Sequence, residues 1–242
     1  MKKSEYLIQA SLSCILFLTS CGKLQVKESA PVSEIKVEIA EVKANISDFE
    51  PLAWETKKKS GTAWSKMIYS VIENEEDSIL ADGAAEDILI FCPRYATLKP
   101  AQRLNFWGQF FVALAVPESG WDPAQTTLEP DKKFKNLDSV TRKPVRSEGL
   151  LQLSYQDEKN LRLNCGFNWN RDQSLAPEDS RKTIFHPYLN LRCGIKIMSR
   201  QLKNRKSITL KDNVYWSVLR TTDNQDKIDQ IATMTKSLKM CR

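Results

Sequence analysis

Leu104, Trp107, Phe111 and Leu114 recur at steps of three, four and three, and Phe106, Phe110, Val112 and Ala113 fill the faces between them. A segment apolar nearly all round predicts a helix buried at the centre of a fold, with Pro100 opening it. Pro117 disfavours helical geometry at Val116 and predicts the end of that helix there. Over 63–80, Met67, Val71 and Asn74 share one side with Trp64 and Ile68 nearby, the spacing of an amphipathic helix. Pro187 suits a first helical position, and Leu191, Ile195, Met198 and Leu202 form the apolar stripe of the helix that it opens. Residues 213–219 and 228–240 read as further helices. Strand signals are sparse, so the expected class is mostly α.

The start of the chain follows different rules. Lys2 and Lys3 precede an apolar run over 6–18 that is too short to cross a bilayer as a mature helix but suits a secretory signal, so residues 1–20 are expected to be removed on export. The run ends in Leu18-Thr19-Ser20-Cys21-Gly22, which resembles the lipobox of bacterial lipoproteins. That resemblance implies an acylated Cys21 holding the protein to a membrane of the cell envelope, facing the periplasm. An ordinary signal with an incidental cysteine, and hence a secreted protein, is the alternative. Residues 21–50 have no aromatic before Phe49 and read as a flexible tether, although Ile35, Val37 and Ile39 alternate with charged neighbours in the strand period. The folded unit, a single domain, is expected over 51–242.

Composition supports a globular domain, with 41% hydrophobic and 27% charged residues in 242. Removing the signal leaves +5 of a formal charge of +6. These charges are interspersed, so a mixed, solvated surface is expected and a nucleic-acid partner is not. Cys14 leaves with the signal and Cys21 carries lipid, leaving Cys92, Cys165, Cys193 and Cys241, an even number in an exported chain. Of the three pairings, Cys165–Cys193 with Cys92–Cys241 is favoured, because the second would tie the domain's beginning to its end. No CxxC spacing occurs and His186 is the only histidine, so neither metal nor cofactor is expected.

The chemistry gathers at Glu118. A carboxyl leaving an apolar helix sits half out of water, which disfavours its charged form and raises its pKa toward the range of a general acid. Around it, residues 113–123, read Ala-Leu-Ala-Val-Pro-Glu-Ser-Gly-Trp-Asp-Pro, resemble the catalytic motif of goose-type lysozymes and soluble lytic transglycosylases. Ser147-Glu148-Gly149-Leu150-Leu151-Gln152-Leu153 resembles the second motif of that superfamily. Phe185-His186-Pro187 with Asn190-Leu191 and Gly194 resembles the third, His186 standing where an aspartate is usual.

The resemblance implies a lysozyme-like helical domain that acts on peptidoglycan glycan strands, at the β-1,4 bond between N-acetylmuramic acid and N-acetylglucosamine. Glu118 would protonate the leaving oxygen as the bond breaks through an oxocarbenium-like state. Ser119, Gln152, Tyr155 and Tyr215 would shape the cleft and bind sugar, with Trp121, Trp169 and Trp216 as further stacking candidates and core packing the competing role for each aromatic. A monomer is the expected state.

Departures from the pattern leave the mechanism open. An inverting hydrolase needs a second carboxylate about 6.5 to 9.5 Å from the acid. Goose-type lysozymes place one two residues past the motif glutamine, and here Ser154 stands there. Asp122, Glu129, Asp131, Asp138 or Glu148 could supply a base. Transglycosylation needs none, but the fourth motif is altered, with Tyr215 in 213–220 as its tyrosine. The mixed-charge segment 122–146 also suits a glycan that has lost acetyl groups, whose ammonium would meet carboxylates. A non-catalytic wall-binding lipoprotein is the rival from another class.

Overall fold

The apolar segment forms the centre of the fold in the computed structural model, which describes residues 34–129 and 136–242. The secretory signal, Cys21, the first part of the expected tether and Asp131 lie outside the described residues. Helix α1 spans Gly61–Glu75 and helix α2 spans Pro100–Ser119. Pro100 occupies the first helical position of α2, where a missing N–H costs nothing, and the Gln102 side chain accepts from the Lys99 N–H at 2.9 Å. Every residue from Leu104 to Ala115 is buried. Trp107, Phe110 and Phe111 meet mostly edge to face, with Phe110 centroids 5.2 Å from Trp107 and 5.7 Å from Phe111. Phe110→Ala is expected to lower stability by about 3–5 kcal/mol in denaturant unfolding. A loss below about 1 kcal/mol would contradict this packing.

Helix α2 runs past Pro117, which the sequence had placed just beyond its end. The local bias against a helical Val116 is overridden by contacts of the last turn. Ser119 Oγ donates to Ala115 O at 3.2 Å and to Leu150 O at 2.8 Å, and the Trp121 indole N–H donates back to Val112 O at 2.8 Å. The chain turns out of the helix only at Gly120, in left-handed geometry at φ 60°. Glu118 therefore belongs to the last turn of α2.

Helix α1 stops at Glu75, short of the expected residue 80, and Asp77–Leu80 form a separate 3-10 turn. Glu73, Glu75, Glu76 and Asp77 crowd the end where the helix dipole is negative, which disfavours extension. Glu75 is compensated from outside, by Arg192 at 2.8 Å and Lys196 at 2.9 Å.

Two short helices follow, α3 (Tyr155–Asn160) and α4 (Trp169–Asp172), then two longer ones, α5 (Pro187–Arg205) and α6 (Gln225–Lys236). Helix α1 packs on α2 and α5, and α6 packs on α2. Residues 213–219 hold only a 3-10 turn, Ser217–Leu219, because Asn213 sits at φ 51° and cannot continue a right-handed helix. The expected helix over 228–240 is α6 followed by a 3-10 turn, Lys239–Cys241. A two-stranded antiparallel sheet, β1 (Thr126–Leu128) with β2 (Arg146–Glu148), completes the elements. Among the described residues no helix is long and apolar enough to cross a membrane.

The described part of the expected tether lies on the body. Ile35, Val37, Val42, Ala44, Ile46 and Phe49 pack against the core, and the N–H groups of Lys43 and Ala44 donate to the Glu73 carboxylate at 2.7 and 3.1 Å. The alternation of Ile35 and Val37 reflects this half-buried, extended path, which ends before Pro51 and makes no sheet partner among the described residues. Both favoured disulfides form, Cys92–Cys241 across 149 residues of sequence and Cys165–Cys193 across 28.

Candidate active site

Glu118 is half-buried at the negative end of α2. Burial pushes its carboxyl from an ordinary 4.5 up to about 8, and repulsion from the Glu129 carboxylate adds to the shift. Near neutral pH it therefore holds a proton that it can give away. The adjacent Ser119 hydroxyl is occupied in joining α2 to Leu150, so its role here is to fix the second motif against the helix that carries the acid.

That motif is a tight turn held from three sides. Asn190, fully buried on α5, accepts from the Leu151 N–H at 2.8 Å and donates to Glu148 O and Ile184 O at 3.0 and 2.9 Å. Gly149 lies at φ 80°, and a Cβ there would come within 2.3 Å of the Asn190 amide. A Cβ on Gly194 would meet Leu151 Cδ1 at 2.3 Å, so α5 and the turn approach as closely as backbone allows. Gln152 stands at φ 50° and its amide donates to Gln125 O and Gly149 O at 3.2 and 3.0 Å. The second and third sequence motifs thus meet in one clamp beneath the acid.

The small sheet orients its side chains by simple alternation. Thr126 pairs with Glu148, Thr127 with Ser147 and Leu128 with Arg146, so Arg146 and Glu148 share one face while Thr127 and Ser147 share the other. Glu129, next in step with Thr127, has its backbone N–H on Val145 O at 3.0 Å and its carboxylate accepts from the Ser147 hydroxyl. Of the carboxylates proposed as a base, Glu129 is the one whose charge acts on Glu118. Asp138 is spent on backbone, accepting from the Val140, Thr141 and Gln156 N–H groups at 2.7, 2.8 and 3.0 Å. Asp122 accepts from the Ala124 N–H at 2.9 Å, and Glu148 is buried against Lys182.

Tyr215 closes the site from the C-terminal part. Its hydroxyl donates to Asp157 Oδ2 at 2.5 Å, and the charges of Asp157, Glu118 and Glu129 all bear on it, which together with burial keeps the phenol protonated. Asp157 also accepts from the Ser154 N–H and hydroxyl at 2.6 and 2.8 Å, and burial pushes its carboxyl up against those bonds. Ser154 and Asp157 cap α3, a Ser-x-x-Asp pattern that was visible in the sequence as a helix start. Asp157 thus approaches the site through Tyr215, a carboxylate that sequence reasoning missed.

The remaining candidates divide. Tyr155 is buried and donates to Asp172 at 2.8 Å; it faces a separate cavity, as does Trp169. Trp121 and Trp216 belong to the core, the Trp216 indole N–H donating to Leu151 O at 2.9 Å. His186 precedes α5 with Nδ1 buried and without a partner among the described residues. Among those residues no group of three or more His, Cys, Asp or Glu side chains could hold a metal ion.

A mostly helical body that presents a protonated carboxyl beside a second carboxylate defines a glycosidase-like enzyme. No protein-family model matches the chain, and no curated protein matches it. The chain is similar to solved structures of Bd0314 DslA. The wild-type form is 28% identical, with a TM-score of 0.63 over 79% of this chain and 97% of that chain. Two glutamate-to-glutamine variants of the same protein match at 28% and 27% identity, with TM-scores of 0.63 and 0.60.

Proposed function

We propose that the chain is a lysozyme-like enzyme of the goose-type lysozyme and lytic transglycosylase kind, cleaving the β-1,4 bond between N-acetylmuramic acid and N-acetylglucosamine in peptidoglycan. The observation that carries this reading is Glu118, a carboxyl that burial and Glu129 hold protonated near neutral pH. It donates its proton to the leaving oxygen, and Glu129 acts as the second carboxylate that activates water, a role supported by its charge acting on Glu118. The glutamates replaced in the two DslA variants lie eleven residues apart, the spacing that separates Glu118 from Glu129. That coincidence supports the same two positions as the acid pair.

The neighbourhood also bears on the sugar. The carboxylates of Glu129 and Asp157 both bear on Tyr215 beside the protonated Glu118, which supports an acidic site. A glycan whose acetamido groups have become ammonium would be attracted there. Such a glycan has also lost the neighbouring group that assists transglycosylation, which makes a protein-supplied carboxylate necessary. De-N-acetylated strands are therefore included in the proposed substrate. Anchoring through Cys21 to an envelope membrane, on the periplasmic side and as a monomer, belongs to the same proposal.

Digestion of native and de-N-acetylated sacculi, with mass analysis of the fragments, tests it. Reducing ends are expected, with faster release from the de-N-acetylated wall. Anhydro ends would replace hydrolysis by transglycosylation, and no release from either wall would overturn the enzyme reading in favour of a wall-binding protein.

A further inference from the structure

Behind the sheet, on the face of Arg146 and Glu148, lies a cavity of about 310 Å³ that Glu118 does not line, at the small end of the range for ligand pockets. Its inner end holds Lys182, Glu148 and Asp138, whose polar atoms are committed to one another or to backbone. Lys182 is paired with Glu148, both almost fully buried, and Lys182 Nζ also donates to Pro177 O at 3.1 Å. Asp138 is spent on three backbone N–H groups. The rim is different. The Lys143 ammonium stands 4.9 Å over the Trp169 ring and has no carboxylate partner among the described residues. Arg146 donates to Thr126 Oγ1 at 3.2 Å, its salt bridge is to the exposed Glu178 at 4.0 Å, and its charge also bears on Glu148. Trp169, Leu128, Leu175, Pro144 and Pro177 supply an apolar wall.

This arrangement selects among ligands. A sugar needs several uncommitted donors and acceptors for its hydroxyls, and the polar groups at the inner end are already satisfied. A carboxylate with an aliphatic body meets two rim cations and an apolar wall instead. We propose that the cavity is a binding site for a short acidic peptide, held by its carboxylate between Lys143 and Arg146 with its body on Trp169. If the proposed function is right, such a peptide could arrive attached to the glycan, so that the enzyme would grip one strand at two places. The peptide site itself does not depend on that reading.

Calorimetric titration with the dipeptide alanyl-glutamate and with its diamide provides the test. One dipeptide per chain is expected to bind, and its affinity to fall as salt rises. The diamide is expected to bind at least about ten-fold more weakly, and Lys143→Glu and Arg146→Ala each to weaken the dipeptide at least about five-fold. Lys143 is exposed, so its reversal leaves folding intact. Glu118→Gln is expected to bind as the wild type does. Equal affinity for the diamide, no effect of Lys143→Glu, or no binding at millimolar dipeptide would overturn the site while leaving catalysis untouched. Wild-type protein that binds the dipeptide yet cuts no wall would overturn the catalytic reading alone.

Discussion

Replacing Glu118 by glutamine is expected to reduce wall cleavage by about 10²–10⁴-fold, the usual contribution of a positioned general acid. The amide keeps the shape of the carboxyl and its place in the last turn of α2 but has no proton to give. Turbidity loss of a sacculus suspension, followed for wild type and variant at equal concentration, measures the effect. A variant that retains more than about a tenth of the rate would remove Glu118 from the acid role. The wild-type rate is expected to fall as pH rises through about 8, because the protonated form that donates is lost there.

The same shift has a consequence for stability, with a definite sign. Glu118 titrates near 8 in the folded chain against an ordinary 4.5, so folding takes up a proton between these values. The stabilisation this proton brings is fully present below 4.5 and lost as pH climbs through about 8. Glu118→Gln should therefore be more stable than the wild type at pH 9, by on the order of a few kcal/mol in denaturant unfolding, with no difference at pH 4. An inactive variant that is the more stable one would separate loss of chemistry from loss of fold.

Lys182→Met is expected to lower stability by about 3–5 kcal/mol, because it leaves the Glu148 carboxylate buried without its cation. The two side chains are only 4% and 3% exposed. Glu148 is also the first residue of the clamped turn, its N–H donating to Leu153 O at 2.8 Å and its carbonyl accepting from Asn190. Combining Lys182→Met with Glu148→Leu should recover most of the loss, since an apolar pair of similar volume has no charge to desolvate. Urea denaturation of both variants decides it. A single variant that loses less than about 1 kcal/mol would mean that the pair is not sealed from water as described.

The parts of this molecule that periodicity controls were legible in advance. The buried helix, the stripe of α5 and Glu118 at the end of an apolar run all follow from spacing along one segment. Pro117 misled because its local bias against a helical Val116 was outweighed by Ser119 and Trp121 reaching back to carbonyls of the same helix. The small sheet was invisible for a related reason. Its strands are three residues each, β2 carries charge, and the end of β2 is held by the Gly149 N–H on Gln125 O and by Asn190 of α5 rather than by a pattern of its own.

Site residues divided along the same line. In sequence Glu129 is one of five carboxylates, and only the folded chain shows that its charge acts on Glu118. Motif order points to Tyr215, and the structure brings it to Asp157 across 58 residues of sequence. Lys182 and Asp172, which organise the back of the sheet, carry no periodic signal at all.

The bond between Cys92 and Cys241 closes most of the chain into a ring, and the bond between Cys165 and Cys193 closes a smaller ring inside it. A protease that cuts once anywhere between Cys92 and Cys241 opens a loop but frees no fragment. The acid, the sheet and the clamp all lie inside that covalent perimeter. A nicked molecule would keep its parts covalently joined, visible as one band on a non-reducing gel and two after reduction.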